Sequence, residues 1–314
     1  VRMTTLAATI DDNAQPQSPG QLAWIRFSQN KLAMISATFL AVMILLVLFG
    51  PLVSSHQPDV LSDNQFAAPS AEHWFGTDDH GRDLLVRVLY GARISLLVGI
   101  VGASVSLVIG VLWGAIAGFV GGQTDNLMMR AVDVMYSLPS IVFVIVLITG
   151  LEAVFKDWLD GLGSPTLASM SRLLLLFIGL GAVSWLTMAR IVRGQVLSLR
   201  KKPFVEAERA LGISNTRILL RHIIPNTTGV VIVYLALTIP SIILYESFLS
   251  YLGLGIQPPQ ASLGSLIASG AGQINPIRIY WWMILFPAGL LGTTLMALNF
   301  LGDGLRDAFD PKGK

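Results

Sequence analysis

Cysteine is absent from the 314 residues, so disulfides, thiolate metal sites, iron–sulfur clusters and cysteine nucleophiles are excluded together, and the redox compartment cannot be read. Charge is scarce as well. Asp, Glu, Lys and Arg make up 13% of the chain, against about 25% in a soluble globular domain. The four histidines (His56, His73, His80, His222) all fall outside the long apolar runs, which removes the usual general base of an intramembrane hydrolase. No G-x-x-x-x-G-K-[ST] segment occurs, so the chain has no loop of the usual kind for cradling nucleotide phosphates. The net charge of +2 does not imply nucleic acid binding.

What is present is apolar. Hydrophobic residues make up 53% of the chain and the mean hydropathy is +0.67, which places it among integral membrane proteins. A helix needs about 20 apolar residues to cross a ~30 Å hydrocarbon core. Charge-free stretches at 32–55, 94–124, 134–151, 173–189, 223–245 and 279–302 each hold a core of that length, so an all-α polytopic membrane protein with six transmembrane helices is predicted. A seventh stretch, 247–277, is broken by Gly253, Gly255, Gly264, Gly270, Gly272, Pro258, Pro259 and Pro276, and reads as short helices and turns at the membrane surface.

The first span follows Arg26 and Lys31 without a cleavage pattern and reads as a signal anchor. With both termini in the cytoplasm, the inside segments hold 15 of the 21 Lys and Arg and the outside segments six, as the positive-inside rule prefers. The organisation is then a flexible cytoplasmic tail (1–31), a six-helix domain (32–302) with an external segment (54–93) and a cytoplasmic loop (192–226), and a cytoplasmic C-terminal tail (303–314). Within the second span, Gly99, Gly102, Ser104, Ser106, Gly110 and Gly114 suit close helix packing more than ligand binding.

The cytoplasmic loop carries the clearest local code. FVEAERAL forms a short helix, Gly212 supplies a residue able to take positive φ at its stop, and Ser214 or Asn215 caps a second helix ending at Pro225. Leu211, Ile213, Ile218, Leu219 and Ile223 form a side to bury, leaving Glu206, Arg209, Arg217 and Arg221 to water or a partner. On residues alone, a rigid elbow and a basic surface for lipid head groups both fit.

EAERALGISNTRILLRHIIPN resembles the EAA loop of binding-protein-dependent ABC importer permeases, the segment that couples them to their ATPases. Glu206 and Ala207 match its first two motif positions, Gly212 its glycine and Pro225 its proline. Two positions depart: Glu208 replaces the second alanine, and His222 stands where many such permeases carry isoleucine, although peptide-type permeases share His-Ile there.

HWFGTDDHGRDLLVRVLYGARISLLVG (73–99) is similar to the signature of oligopeptide, dipeptide and nickel importer permeases of the C-subunit type. Its Gly76, Thr77, Asp78, Gly81, Arg82 and Asp83, with Asp79 and Arg87, suit an ion-paired external amphipathic helix, with docking of a solute-binding protein as the sharper alternative. GGQTDNLMMRAVDVMYSLPS, ESFLSYLGLGIQPP and NFLGDGLRDAFDP extend the resemblance over most of the chain. Residues 152–172 depart from it and read as an outer interfacial helix. The nickel branch makes a metal site at His56, His73 and His80 worth naming, but their spacing has no helical face, so no metal is assigned.

The resemblance implies a subunit of an importer of oligopeptides or dipeptides in a bacterial inner membrane. It implies a second permease, two ATP-binding subunits that use ATP and Mg, an extracytoplasmic solute-binding protein and a peptide substrate, and no cofactor in this chain. A nickel or other small-solute importer is the alternative within the family, and a gradient-driven carrier or channel the alternative outside it. Glu246, the one carboxylate at the edge of a span, has three readings: hydrated at the interface, bonded between helices or to a partner subunit, or in contact with a peptide ammonium group.

Overall fold

The computed structural model describes residues 18–53, 57–163, 167–168, 170–258 and 260–309. Residues 1–17 and 310–314 of the expected tails, and His56 of the metal reading, lie outside them. The described residues form helices α1 (Pro19–Gln29), α2 (Lys31–Val53), α3 (Leu84–Val120), α4 (Gly122–Ser137), α5 (Ser140–Gly161), α6 (Ser171–Leu199), α7 (Pro203–Ala210), α8 (Asn215–Ile218), α9 (Ile224–Tyr251), α10 (Leu263–Gly272) and α11 (Trp282–Phe309). Five helical stretches are long and apolar enough to cross a membrane, and a sixth follows if the bent pair α4–α5 is one span.

Helix boundaries differ from the charge-free stretches for identifiable reasons. The second span begins at Leu84 and runs 37 residues, about 55 Å, because Arg87 and Arg93 interrupt the apolar run without interrupting the helix. The expected external helix over 73–99 is therefore a loop up to Asp83 and part of α3 after it. The third span is bent by 85° at Leu138–Pro139, where a proline follows a residue held extended. Residues 152–161 continue α5 instead of forming a separate interfacial helix. The tail reading also gives way at 19–29: Ser18 and Gln21 cap each other reciprocally, Pro19 opens the helix, and Ala23 and Phe27 pack against Ala33 and Ala308.

The centre of the bundle is the pair α3–α6. Gly110, Gly114 and Gly118 recur every four residues on α3, and a Cβ at Gly110 would stand 2.6 Å from the Met188 Cβ, so the backbones approach as closely as small residues permit. Gly99 and Gly102 do the same toward Ile243 and Ile242 of α9. Ser106 is buried among them, whereas Ser104 faces outward with its hydroxyl donating to the Ile100 carbonyl.

Helix α10 departs from the surface reading. Leu263, Gly264, Leu266 and Gly270 are buried, and the helix wedges between α9, α11 and the first turns of α3. Its ten residues cross only about 15 Å, so it enters the bundle from one end without spanning it. Phe27 with Gly304, and Phe309 with Gly229, bring both described ends of the chain to the end of the bundle that holds α7 and α8. Residues 57–83 occupy the opposite end.

Candidate functional site

Two clusters, one at each end, contain the residues singled out by sequence. At the first, α7 and α8 form the expected elbow. Pro203 opens α7 and Glu206 lies in its first turn, where a carboxylate suits the helix dipole. The stop is a Schellman motif: Gly212 takes φ +76°, its N–H donates to the Arg209 carbonyl (3.0 Å), and the Ile213 N–H donates to the Glu208 carbonyl (3.1 Å).

Val205, Ile218 and Ile223 are fully buried under the elbow with Phe119, Val192 and Val196 of α3 and α6. Ile213 and Leu219 are half-buried. Leu211 does not join them; at 80% exposure it stands at the apex beside Gly212. Glu206, Ala207, Arg209, Arg217 and Arg221 are exposed, with the Arg209 guanidinium 5.5 Å from the centre of the Phe119 ring. An open groove of about 510 Å³ runs between the last turns of α3 and residues 215–224.

The second arm does not end at Pro225. It widens into a π turn over Leu219–Ile223, in which the Ile224 N–H donates to the carbonyl of Leu219, five residues back, and then continues as α9. Pro225, which has no N–H, stands directly after this π turn, and the helix continues past it. The elbow is thus the end of one helical rod, Asn215–Tyr251.

The two departures from the EAA pattern meet each other: His222 Nδ1 lies 3.1 Å from Glu208 Oε1, which ties α7 to the π turn. Sequence reasoning treated them separately. It also passed over the frame around the elbow. Asp125 at the start of α4 receives both Arg193 Nε and Arg193 Nη2, Asp133 receives Arg190 Nη2 (2.6 Å), and Arg200 donates to the terminal carbonyls of α3, Gly118 (3.0 Å) and Phe119 (3.1 Å). The available signal was two carboxylates on α4 and arginines at the far end of α6.

At the opposite end, residues 62–83 fold over the start of α3. Asp78 is the hub: one carboxylate oxygen accepts from the backbone N–H groups of His80 (2.8 Å) and Arg82 (3.0 Å), the other from Arg82 Nε (2.7 Å) and Arg87 Nη1 (2.6 Å). Burial pushes this carboxyl up, but those amides and the two guanidinium groups outweigh it and hold it below the ordinary carboxylate range. Asp83 caps α3 through the Val86 N–H (3.0 Å) and lies 2.9 Å from His73 Nδ1. Gly76 and Gly81 turn the chain, and the buried Thr77 carbonyl accepts from Trp282 Nε1 (3.2 Å), which fastens the segment to α11. His73 is engaged by Asp83 and His80 by Asp79, so the two described histidines of the metal reading are not brought together.

Glu246 is fully buried, five residues before the end of α9. Hydroxyls of this chain surround it: Ser95 donates to Oε2 (2.9 Å) and Ser250 to Oε1 (2.7 Å), with Ser247 3.4 Å from Oε2 and Ser262 beside it. Its full burial in this chain speaks against the hydrated reading and fits a bond between helices.

Comparison with known proteins adds the following. The family model described as "Binding-protein-dependent transport system inner membrane component" matches residues 110–314, and that of the "N-terminal TM domain of oligopeptide transport permease C" matches 18–69. The chain is 47% identical over 292 residues to the oligopeptide transport system permease protein OppC of Haemophilus influenzae, covering 92% of this chain and 87% of that protein. It is 46% identical over 295 residues to OppC of Escherichia coli K12 (92% and 90%). It is 42% identical over 293 residues to the dipeptide transport system permease protein DppC of Bacillus subtilis (93% and 85%).

Proposed function

Because the chain belongs to the binding-protein-dependent transport system inner membrane component family, we propose that it is the transmembrane permease subunit of an ATP-driven importer of oligopeptides or dipeptides. The names of its relatives favour peptide over nickel. The chain forms half of the translocation path and a second permease the other half. It is not itself an enzyme: ATP and Mg are handled by two separate ATP-binding subunits, and an extracytoplasmic solute-binding protein delivers the peptide. Both termini and residues 192–226 face the cytoplasm, in keeping with the 15-to-six division of basic residues.

The observation that carries this reading is the elbow. An exposed Leu211 and a positive-φ Gly212 stand on a buried apolar base, at the tip of a rod that continues through the bundle. A moving ATPase that grips such a tip displaces a whole helix, whereas a floppy basic loop would absorb the motion. Glu206, Ala207, Arg209, Arg217 and Arg221 form the exposed face offered to that partner, while Glu208 and His222 brace it from within. The external residues Gly76, Thr77, Asp78, Gly81, Arg82 and Asp83 hold the opposite end in shape beneath the docked binding protein.

The test is uptake of labelled di- and oligopeptides in cells lacking their own peptide importers. Expression with the second permease, the ATP-binding subunits and the binding protein gives uptake, and omitting the ATP-binding subunits abolishes it. Uptake by this chain alone would make it a gradient-driven carrier, and accumulation of nickel without peptide would move it to the other branch of the family.

A further inference from the structure

Glu246 and the elbow belong to the same helical stretch, Asn215–Tyr251, whose 37 residues extend about 55 Å. At its far end the carboxylate gathers hydroxyls from three elements. Ser95 comes from α3, Ser247 and Ser250 from α9 itself, and Ser262 from the cap of α10. The contacts extend outward: the Leu263 N–H donates to Ser95 Oγ (3.3 Å) and the Ile256 N–H to Ser250 Oγ (3.2 Å), so both the first turn of α10 and the chain leading to it hang on hydroxyls that Glu246 orients.

Packing around this hub leaves no slack. A Cβ at Gly91 would stand 3.0 Å from the Ser262 carbonyl carbon, and one at Gly264 would run into the backbone of Ser247. A buried carboxylate costs several kcal/mol unless its lone pairs are met, so this arrangement resists any movement of α10 relative to α3 and α9 that would pull the serines away. Helix α10 itself is short, buried and inserted from the end opposite the elbow.

We infer that Glu246 is a positioning residue for transport: it locks α10 to α3 and α9, so that displacement of the elbow at one end of the rod carries α10 at the other. This rests on the permease reading above, in which the elbow is what the ATP-binding subunits move.

The test uses the complete importer in proteoliposomes, with Ser269, exposed on α10, changed to Cys in this otherwise cysteine-free chain. The labelling rate of that thiol is compared with and without ATP and vanadate. In the parent and in Glu246→Gln, which keeps the shape and most of the bonding, ATP changes the rate by about fivefold or more. In Glu246→Ala the change is lost although the subunits still copurify and hydrolyse ATP. Ser95→Ala combined with Ser250→Ala, which removes two donors and keeps the carboxylate, gives the same loss and serves if Glu246→Ala does not assemble.

An ATP-dependent change that persists in Glu246→Ala and in the double serine variant overturns the proposal. So does a parent complex that imports peptide while the thiol at 269 labels at one constant rate. Absence of ATP-driven uptake in the parent instead overturns the permease reading, which separates the two failures.

Discussion

Gly212 has open space around the position of a Cβ, with no atom beyond its chain neighbours within 4 Å, so what restricts it is its φ of +76° and not crowding. Gly212→Val is expected to insert and assemble normally while straining the elbow by about 1–3 kcal/mol. Peptide uptake falls with the quantity of chain in the membrane unchanged; uptake equal to the parent would mean that the turn can deform without consequence. Glu208 and His222 lend themselves to a double-mutant cycle, because each departs from the family pattern and each is the other's partner. Glu208→Ala and His222→Ile singly reduce thermal stability or uptake, and the double variant recovers part of the loss, with a coupling of about 0.5–3 kcal/mol. Strict additivity would show that the 3.1 Å approach contributes nothing. Neither the pairing nor the serine shell of Glu246 was legible in the sequence: Ser95 and Glu246 are 151 positions apart, and no local pattern announces a partner at that distance.

The external segment owes its shape to Asp78, and its response to acid follows. Its carboxyl is held below the unfolded value of about 3.9, so the stabilisation is fully present above that pH and is lost as pH falls through the lower folded value. The protection of amides in 62–83 against hydrogen exchange, taken relative to an unstructured chain at the same pH, should therefore be high at neutral pH and fall as the medium is taken below about pH 4. Asp78→Asn should open the segment at neutral pH, since it leaves the buried Arg87 without its carboxylate at a cost of about 3–5 kcal/mol. Unchanged exchange in that variant at neutral pH would remove Asp78 from the hub. Among helices, the apolar runs revealed the five long spans, and a sixth where the bent pair α4–α5 counts as one, because desolvation of charge dominates that count, but not where each helix ends. Arg87 is inside α3 because Asp78 pairs with it, and α9 passes Pro225 because the π turn has already displaced the bond a proline would break. Helix α1 was hidden in a polar stretch whose one helix-opening signal, Ser18-Pro19 with Gln21, is short.

For the whole molecule, the two clusters lie at opposite ends of the bundle, and their placement is testable in a chain without cysteine. A Cys introduced at the exposed Ser214 is expected to react only after the cytoplasm is opened, and one at the exposed Ser70 with impermeant reagent on intact cells. The reverse pattern would invert the molecule and remove the elbow from the side where ATP is available. Along the rod between these ends, the π turn has a consequence of its own. It contains one residue more than an α turn, and each residue of an α-helix advances the side chains by about 100°. The faces of α8 and α9 are accordingly out of phase by that angle, and the direction in which Leu211 points is set by a count of residues between 219 and 223. A homologue with one residue fewer there would keep every side chain of its span in place and aim its elbow at a different part of the compass.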